Sequence, residues 1–118
     1  MKKILVLQKQ APYGSSLARD GLDYVLTSAA YDQDISMAFI GDGVWQLVKS
    51  QQPAEIKQKS QLAALDVLSL YDVEKLYACH EDLNARGLSP QDLGVDVTCI
   101  SRAEIKQLMV EQDHVIGF

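Results

Sequence analysis

The sequence is poor in cysteine and contains no long apolar run. Its 118 residues include only two cysteines, Cys79 and Cys99, which are too few for a disulfide framework and lack the spacing of a zinc site. No stretch approaches the ~18 consecutive apolar residues of a membrane span. The apolar run at residues 4–7 is also shorter than the apolar core of a signal peptide. We therefore expect a reduced, cytoplasmic protein.

Positive charge is scarce as well. Eleven Lys and Arg face 16 Asp and Glu, which gives a formal net charge of −5. Proteins that bind nucleic acid directly present a basic face, and the basic residues here are scattered. We expect no direct contact with nucleic acid. The length and a hydrophobic content of 47% are those of an ordinary globular domain, so we expect residues 1–118 to form a single domain.

Short apolar runs alternate with helical patterns along the chain. Strands are predicted at 4–7, 34–40, 75–78, 95–100 and 113–118, and helices at 17–30, 61–71, 80–87 and from a capping box at 101 to 109 or 112. Strands separated by helices form right-handed βαβ units and a parallel sheet. The predicted fold is a three-layer α/β/α domain with a five-stranded, mainly parallel sheet. The pattern does not give the strand order.

The main candidate for chemistry is Cys79, which follows the third strand and precedes a short helix. Sites in α/β proteins lie at the carboxyl ends of strands, and the first turn of a helix favours a thiolate. However, Glu81 and Asp82 stand in that turn and disfavour another negative charge. Cys79 is either a persulfide carrier or a small buried residue without chemistry. The acidic neighbours favour the second reading.

Other motifs suggest neither a cofactor nor a metal. The Gly-Asp-Gly turn at 41–43 lacks the third glycine of a dinucleotide fingerprint. The loop at 8–16 leaves open a flavodoxin-like cofactor binder, although it lacks the Ser, Thr and Gly density of a phosphate cradle. Cys99 is predicted to be inert core and His114 a strand residue. Four acidic residues lack ligand spacing and are predicted to form a solvated face: Asp20, Asp23, Asp32 and Asp34.

A single tryptophan, Trp45, stands among apolar residues after the second strand. It belongs either to the core or to an interface, since Trp and Tyr dominate interface hot spots. Together with its neighbours Val44 and Leu47, it is our candidate for a contact with a partner.

The order of several motifs resembles the TusC/DsrF branch of the DsrE/DsrF-like family over essentially the whole chain. No single motif is specific, but their order and spacing together are. The motifs are Ala11-Pro-Tyr-Gly14, Arg19-x-Gly21-Leu22-Asp23, Phe39-Ile-x-Asp42-Gly43-Val44-x-Gln46-Leu47, Leu70-Tyr71-Asp72, Cys79-x-x-x-Leu83-x-x-Arg86-Gly87-Leu88 and Asp113-x-Val-Ile-x-Phe118.

The resemblance implies a subunit of a sulfur relay. Members of this branch form a heterohexamer, a dimer of trimers, with two paralogous subunits, TusB and TusD. That complex passes persulfide sulfur through a carrier, TusE, toward 2-thiolation of the tRNA wobble uridine. The sulfur-accepting cysteine belongs to TusD, at the position that Cys79 matches here. The resemblance thus implies a structural, non-catalytic subunit; the alternative is a sulfurtransferase in which Cys79 itself carries persulfide.

Overall fold

The computed structural model describes residues 2–12, 16–31, 33–49 and 63–118. The strands within these ranges are Lys3–Gln8 (β1), Asp34–Phe39 (β2), Lys75–Cys79 (β3), Thr98–Ile100 (β4) and His114–Gly117 (β5). The α-helices whose two ends both lie within these ranges are Leu17–Ala29 (α1), His80–Ala85 (α2) and Arg102–Val110 (α3). Short 3₁₀ helices span Gly41–Leu47, Val67–Tyr71 and Pro90–Asp92.

The strands form one sheet in the order β4-β3-β2-β1-β5. Every neighbouring pair is parallel, so Ile4 of β1 lies opposite Ile35 of β2 on one side and His114 of β5 on the other. This confirms the predicted α/β fold with a five-stranded sheet. The strand order, which the sequence pattern left open, places β1 next to the edge strand β5, although β5 is the last strand in the chain.

Alternating residues of β1 enter two separate cores, one on each face of the sheet. Ile4 and Val6 pack in the larger core, which includes Leu22 and Val25 of α1. Leu5 and Leu7 face the other way, into a smaller cluster that α3 covers with Leu108 and Met109. Because helices lie on both faces, the apolar runs of the strands are covered on both sides, as in other parallel sheets.

Three local predictions need correction. The fourth strand begins at Thr98 rather than at 95, because the chain before it pairs elsewhere: Val48 and Leu93 form an antiparallel bridge, and the Gly94 N–H donates to the Leu47 carbonyl at 2.7 Å. The sequence also predicts Ser15 or Ser16 as the N-cap of the first helix. Ser16 does precede α1, but its hydroxyl donates to Asp20 instead of capping the helix.

The third correction concerns the helix predicted at 61–71. Residues 63–66 are α-helical, and the chain then tightens into the 3₁₀ helix Val67–Tyr71. Residues 61 and 62, and the predicted loop before them, lie outside the described residues. Among the helices in the described ranges, none combines the length and the apolarity that crossing a bilayer requires.

Two glycines allow the elements at the carboxyl edge of the sheet to pack closely. A Cβ added to Gly21 of α1 would lie 2.5 Å from the side-chain oxygen of Gln8, so α1 packs closely against the end of β1 at this glycine. A Cβ on Gly43 would overlap the backbone carbonyl of Gln8. Backbone contact at Gly43 holds the 3₁₀ helix Gly41–Leu47 against the end of β1 and fixes its position beside the candidate site.

Candidate functional site

Cys79 is the last residue of β3 and occupies the N-cap position of α2. Its side chain lies at the carboxyl edge of the sheet, as predicted, but it is completely buried, with 0% exposure. The Sγ atom is 3.9 Å from Oε1 of Glu81. The thiol therefore has a carboxylate beside it and no surface exposed to solvent in this conformation.

Asp82 joins three elements around the thiol. Its Oδ2 accepts a 2.8 Å hydrogen bond from the Gly41 N–H, at the turn that follows β2. Its Oδ1 accepts a 2.9 Å hydrogen bond from the Arg102 guanidinium, which is also an ion pair. The Asp82 side chain is only 14% exposed. Through these two hydrogen bonds, its carboxylate connects α2 to the turn after β2 and to α3.

Glu81 is fixed at the start of α3. Its two carboxylate oxygens accept hydrogen bonds of 2.9 and 3.1 Å from the backbone N–H of Arg102, the first residue of that helix. Ser101 and Glu104 close a capping box at the same helix start, which confirms the predicted box. A carboxylate at a helix N-terminus is stabilised by unpaired N–H groups and the helix dipole, so Glu81 stabilises the start of α3.

Arg86, at the end of α2, completes this network. Its guanidinium donates to Oδ1 of Asp42 at 2.9 and 3.2 Å, and to the backbone carbonyl of Asp82 at 3.1 Å. Arg102 was not singled out from the sequence, and no role beside Cys79 was predicted for Gly41 or Arg86. Their positions in the sequence could have indicated that they lie near Cys79. Gly41 follows a predicted strand and Arg102 opens a predicted helix, and the carboxyl ends of parallel strands lie at one edge of the sheet.

The surroundings of Cys79 raise the pKa of its thiol. Burial is the largest cause; the Asp82 backbone N–H opposes it, and the hydrogen bond and charge of the Asp82 carboxylate and the charge of Glu81 add to it. Burial also acts to raise the pKa of Asp82, but donors from Gly41, Cys79 and Arg102 outweigh burial and lower it. Since the thiolate is the nucleophile, a protonated, buried thiol flanked by two carboxylates is poorly suited to accept sulfur.

A pocket of about 340 Å³ adjoins the buried thiol. It opens between the carboxyl ends of the central strands and one face of α3. Its walls are formed by Lys9, Ile40, Gly41, Cys79, Asp82, Arg102, Ile105, Lys106 and Met109.

The three interface candidates differ in burial. Val44 and Leu47 are completely buried in the larger core, so their side chains offer no surface to a partner in this conformation. Trp45 is partly buried and packs against the same core. The buried side chains of Val44 and Leu47 therefore hold in place the backbone segment that carries the partly exposed indole of Trp45.

The remaining predicted residues lie away from the thiol. Cys99 is partly buried in β4, and burial raises the pKa of its thiol. His114 is exposed on β5. In the parts of the chain that the structure describes, no group of three His, Cys, Asp or Glu side chains could hold a metal ion. Asp23 and Asp34 pair with Arg19 and Lys75; residues 13–15 and 32 lie outside the described residues.

Comparison with known proteins agrees with this architecture. The sequence profile of the DsrE/DsrF-like family matches residues 2–118. Proteins called "Protein TusC homolog" from Vibrio parahaemolyticus and Aliivibrio fischeri are 36% and 35% identical over 118 residues, covering 100% of both chains in each case.

Solved structures show the same fold. The crystal structure of the ychN protein from E. coli superposes with a TM-score of 0.84 at 24% identity, with 100% of each chain covered. A protein of unknown function, MTH1491 from Methanobacterium thermoautotrophicum, gives a TM-score of 0.72 at 15% identity, again with 100% of each chain covered. With the profile match and the full-length relatives, these findings confirm the resemblance seen in the sequence: the chain belongs to the DsrE/DsrF-like family, in the branch of the TusC homologs.

Proposed function

We propose that this chain is a non-catalytic subunit of a cytoplasmic sulfur-relay complex. In this proposal it assembles with TusB-like and TusD-like paralogues into a heterohexamer, a dimer of trimers. The complex passes persulfide sulfur through a TusE-like carrier toward 2-thiolation of the tRNA wobble uridine. The net charge of −5 supports a role without direct contact to tRNA, because a tRNA-binding surface would need a basic face.

The observation that carries the non-catalytic role is the state of Cys79. Its side chain is completely buried, and its pKa is raised by that burial and by two adjacent carboxylates. Both carboxylates are anchored by hydrogen bonds to Arg102, so they cannot turn away from the sulfur without breaking structural contacts. A sulfur carrier needs the opposite arrangement, an accessible thiol with a lowered pKa.

Trp45 supports the assembly part of the proposal. The segment that bears it is held by the buried side chains of Val44 and Leu47 and by the close contact between Gly43 and the end of β1. A partly exposed aromatic on a rigid backbone loses little conformational freedom on binding, which is why such residues often anchor interfaces. Trp45 is thus the residue that we propose contacts a paralogous subunit.

The catalytic role is tested by measuring sulfur on the cysteine. The chain is co-purified with its TusB-like and TusD-like partners, incubated with a cysteine desulfurase and cysteine, and analysed by intact-mass and peptide mass spectrometry. We expect no added sulfur on Cys79 while the TusD-like subunit becomes loaded. A persulfide on Cys79 that forms during turnover and disappears when the TusE-like carrier is added would establish the alternative, in which Cys79 itself transfers sulfur. Cys99→Ser serves as the matched control for the second cysteine.

The assembly role is tested with a charged residue at the proposed contact. Trp45→Asp is expected to abolish co-purification with the paralogues while the isolated chain stays folded by circular dichroism. Tyr31→Asp is the control, because Tyr31 is a 73% exposed aromatic just after α1, near the start of β2 and so at the opposite edge of the sheet. Retention of the complex by Trp45→Asp, or its loss with Tyr31→Asp alone, would show that the contact lies elsewhere.

A further inference from the structure

The short helix α2 has little apolar packing of its own. It contains six residues, His80–Ala85, and Leu83 is its one buried residue. The longer α1 contains 13 residues, four of which are buried. A helix as short as α2 is not stable in water without tertiary contacts, because its first turn is costly to form. Contacts other than apolar packing must therefore help to hold α2 in place.

Charged side chains supply these contacts at both ends of α2. Near its start, the Asp82 carboxylate accepts a hydrogen bond from the Arg102 guanidinium at 2.9 Å. At its end, the Arg86 guanidinium donates to Oδ1 of Asp42 at 2.9 and 3.2 Å. The Arg102 and Asp42 side chains are 56% and 63% exposed, so water and dissolved ions reach both ion pairs and weaken them. The contacts of α2 with α3 and with the turn after β2 should therefore respond to salt.

Release of α2 would uncover the thiol without disturbing the sheet. Cys79 belongs to β3, where it lies opposite Ile100 of β4, and it is completely buried. Asp82 stands beside it in the wall of the pocket of about 340 Å³. When α2 separates from α3, the Asp82 side chain leaves that wall and the pocket extends to the sulfur atom. The neighbouring strands can keep their hydrogen bonds throughout.

We propose that α2 is a lid held shut by charge, and that its local opening, rather than unfolding of the domain, exposes Cys79. Short elements with few buried apolar contacts are the segments that open locally in folded proteins. The opening becomes more frequent as the ionic strength rises, since salt screens the ion pairs at both ends of the helix. The inference does not depend on the proposed function, because the lid governs access to the thiol in a structural subunit and in a sulfur carrier alike.

The rate of alkylation of Cys79 measures the opening. The full-length chain carries Cys99→Ser, so that Cys79 is the only thiol, and is treated with N-ethylmaleimide, an uncharged reagent, under native conditions. Each rate, followed by intact-mass spectrometry, is divided by the rate for the same chain unfolded in urea. Alkylation of the folded chain should be nearly independent of urea at low concentration, because a local opening exposes little surface. It should become faster between ~0.1 and ~1 M KCl, over which the screening length falls from about 10 to about 3 Å.

A matched pair of variants tests whether charge holds the lid. Asp42→Asn removes the partner of Arg86, and Asp42 is not among the groups that shift the pKa of Cys79. The variant should be alkylated about threefold faster than its parent at low salt, as the loss of one partly exposed ion pair allows, and should respond less to KCl. The control, Asp34→Asn, removes an ion pair with Lys75 at the other end of β2. It should be alkylated at the parent's rate, because its contacts with α2 are unchanged even if the whole domain is less stable.

Amide hydrogen exchange provides a readout that does not involve the thiol. The Arg86 and Leu88 amides donate to the Leu83 carbonyl. They should be less protected than the Val25 amide in α1, and their exchange should be nearly independent of urea. The proposal is overturned if alkylation increases with urea as steeply as global unfolding does, if KCl leaves the rate unchanged, or if Asp42→Asn and Asp34→Asn are alkylated at the same rate.

Discussion

Replacing Asp82 by asparagine should weaken the fold and, at the same time, make Cys79 easier to ionise. The substitution keeps the shape of the side chain and an oxygen that can accept from the Gly41 N–H, but it removes the charge. Arg102 loses its ion pair, and the thiol loses the carboxylate that disfavours its ionised form. The freed guanidinium can then stabilise a thiolate, so the pKa of Cys79 should fall.

The loss of stability can be worked out from the contacts. A hydrogen bond to a charged group contributes about 1.5–3 kcal/mol to the free energy of unfolding, but the Arg102 side chain is 56% exposed and solvent screens the pair. We therefore expect a loss of about 1 kcal/mol from this pair, and about 0.5 kcal/mol from the weaker bond to Gly41. For a domain of this size, that corresponds to a fall of ~5 °C in Tm.

Both effects can be measured in a Cys99→Ser background, in which Cys79 is the only thiol. Urea denaturation gives the free energy of unfolding, and the ultraviolet absorbance of the thiolate, followed against pH, gives the pKa. Asp23→Asn is the control, because that carboxylate is 64% exposed and lies 3.8 Å from its partner Arg19. It should change neither quantity. If Asp82→Asn is folded and its Cys79 pKa is unchanged or higher, the carboxylate does not hold the thiol in its protonated form.

Three further predictions follow from the same contacts. Gly43→Ala should destabilise the fold by about 3 kcal/mol, because a Cβ there overlaps the Gln8 carbonyl. Gly87→Ala should cost about 1 kcal/mol, since Gly87 has φ of 69° and open space around it. Equal losses of unfolding free energy for the two variants in urea denaturation would contradict this. Because folding lowers the pKa of Asp82, this carboxylate contributes fully to the free energy of unfolding above its pKa in the unfolded chain, about 3.9. That contribution is lost as the pH falls through the lower pKa of the folded state. The free energy of unfolding should therefore fall less steeply with decreasing pH in Asp82→Asn than in the wild type. Because folding raises the pKa of Cys79, stability should decline as the pH rises above about 8.5, and a Cys79→Ser variant that declines as steeply would show that another group is responsible.

The sequence predicted the layers of the fold because the relevant signal is local. The apolar run of β1 and the alternation of strands with helices are readable within a few residues. The capping box at Ser101 and Glu104 is also local, and it is confirmed. The strand order and the late start of β4 depend instead on contacts between distant segments, such as the bridge between Val48 and Leu93, and no local pattern contains them.

In the candidate site, too, only the contacts between residues close in sequence could be predicted. That Glu81 and Asp82 would lie near Cys79 follows from their spacing, because all three stand around the first turn of α2. The larger reason for the raised pKa is burial, which no local pattern around Cys79 contains. The anchoring of both carboxylates by Arg102, about 20 residues further along the chain, is a tertiary contact.

The central claim is that this subunit needs no thiol to support the relay. The most direct measurement is the amount of 2-thiolated wobble uridine in tRNA from cells whose only copy of this chain carries Cys79→Ser, with co-purification of the paralogous subunits checked in the same cells. We predict thiolation at the wild-type level. Loss of thiolation in cells that still contain the intact complex would contradict the claim and assign the sulfur transfer to Cys79.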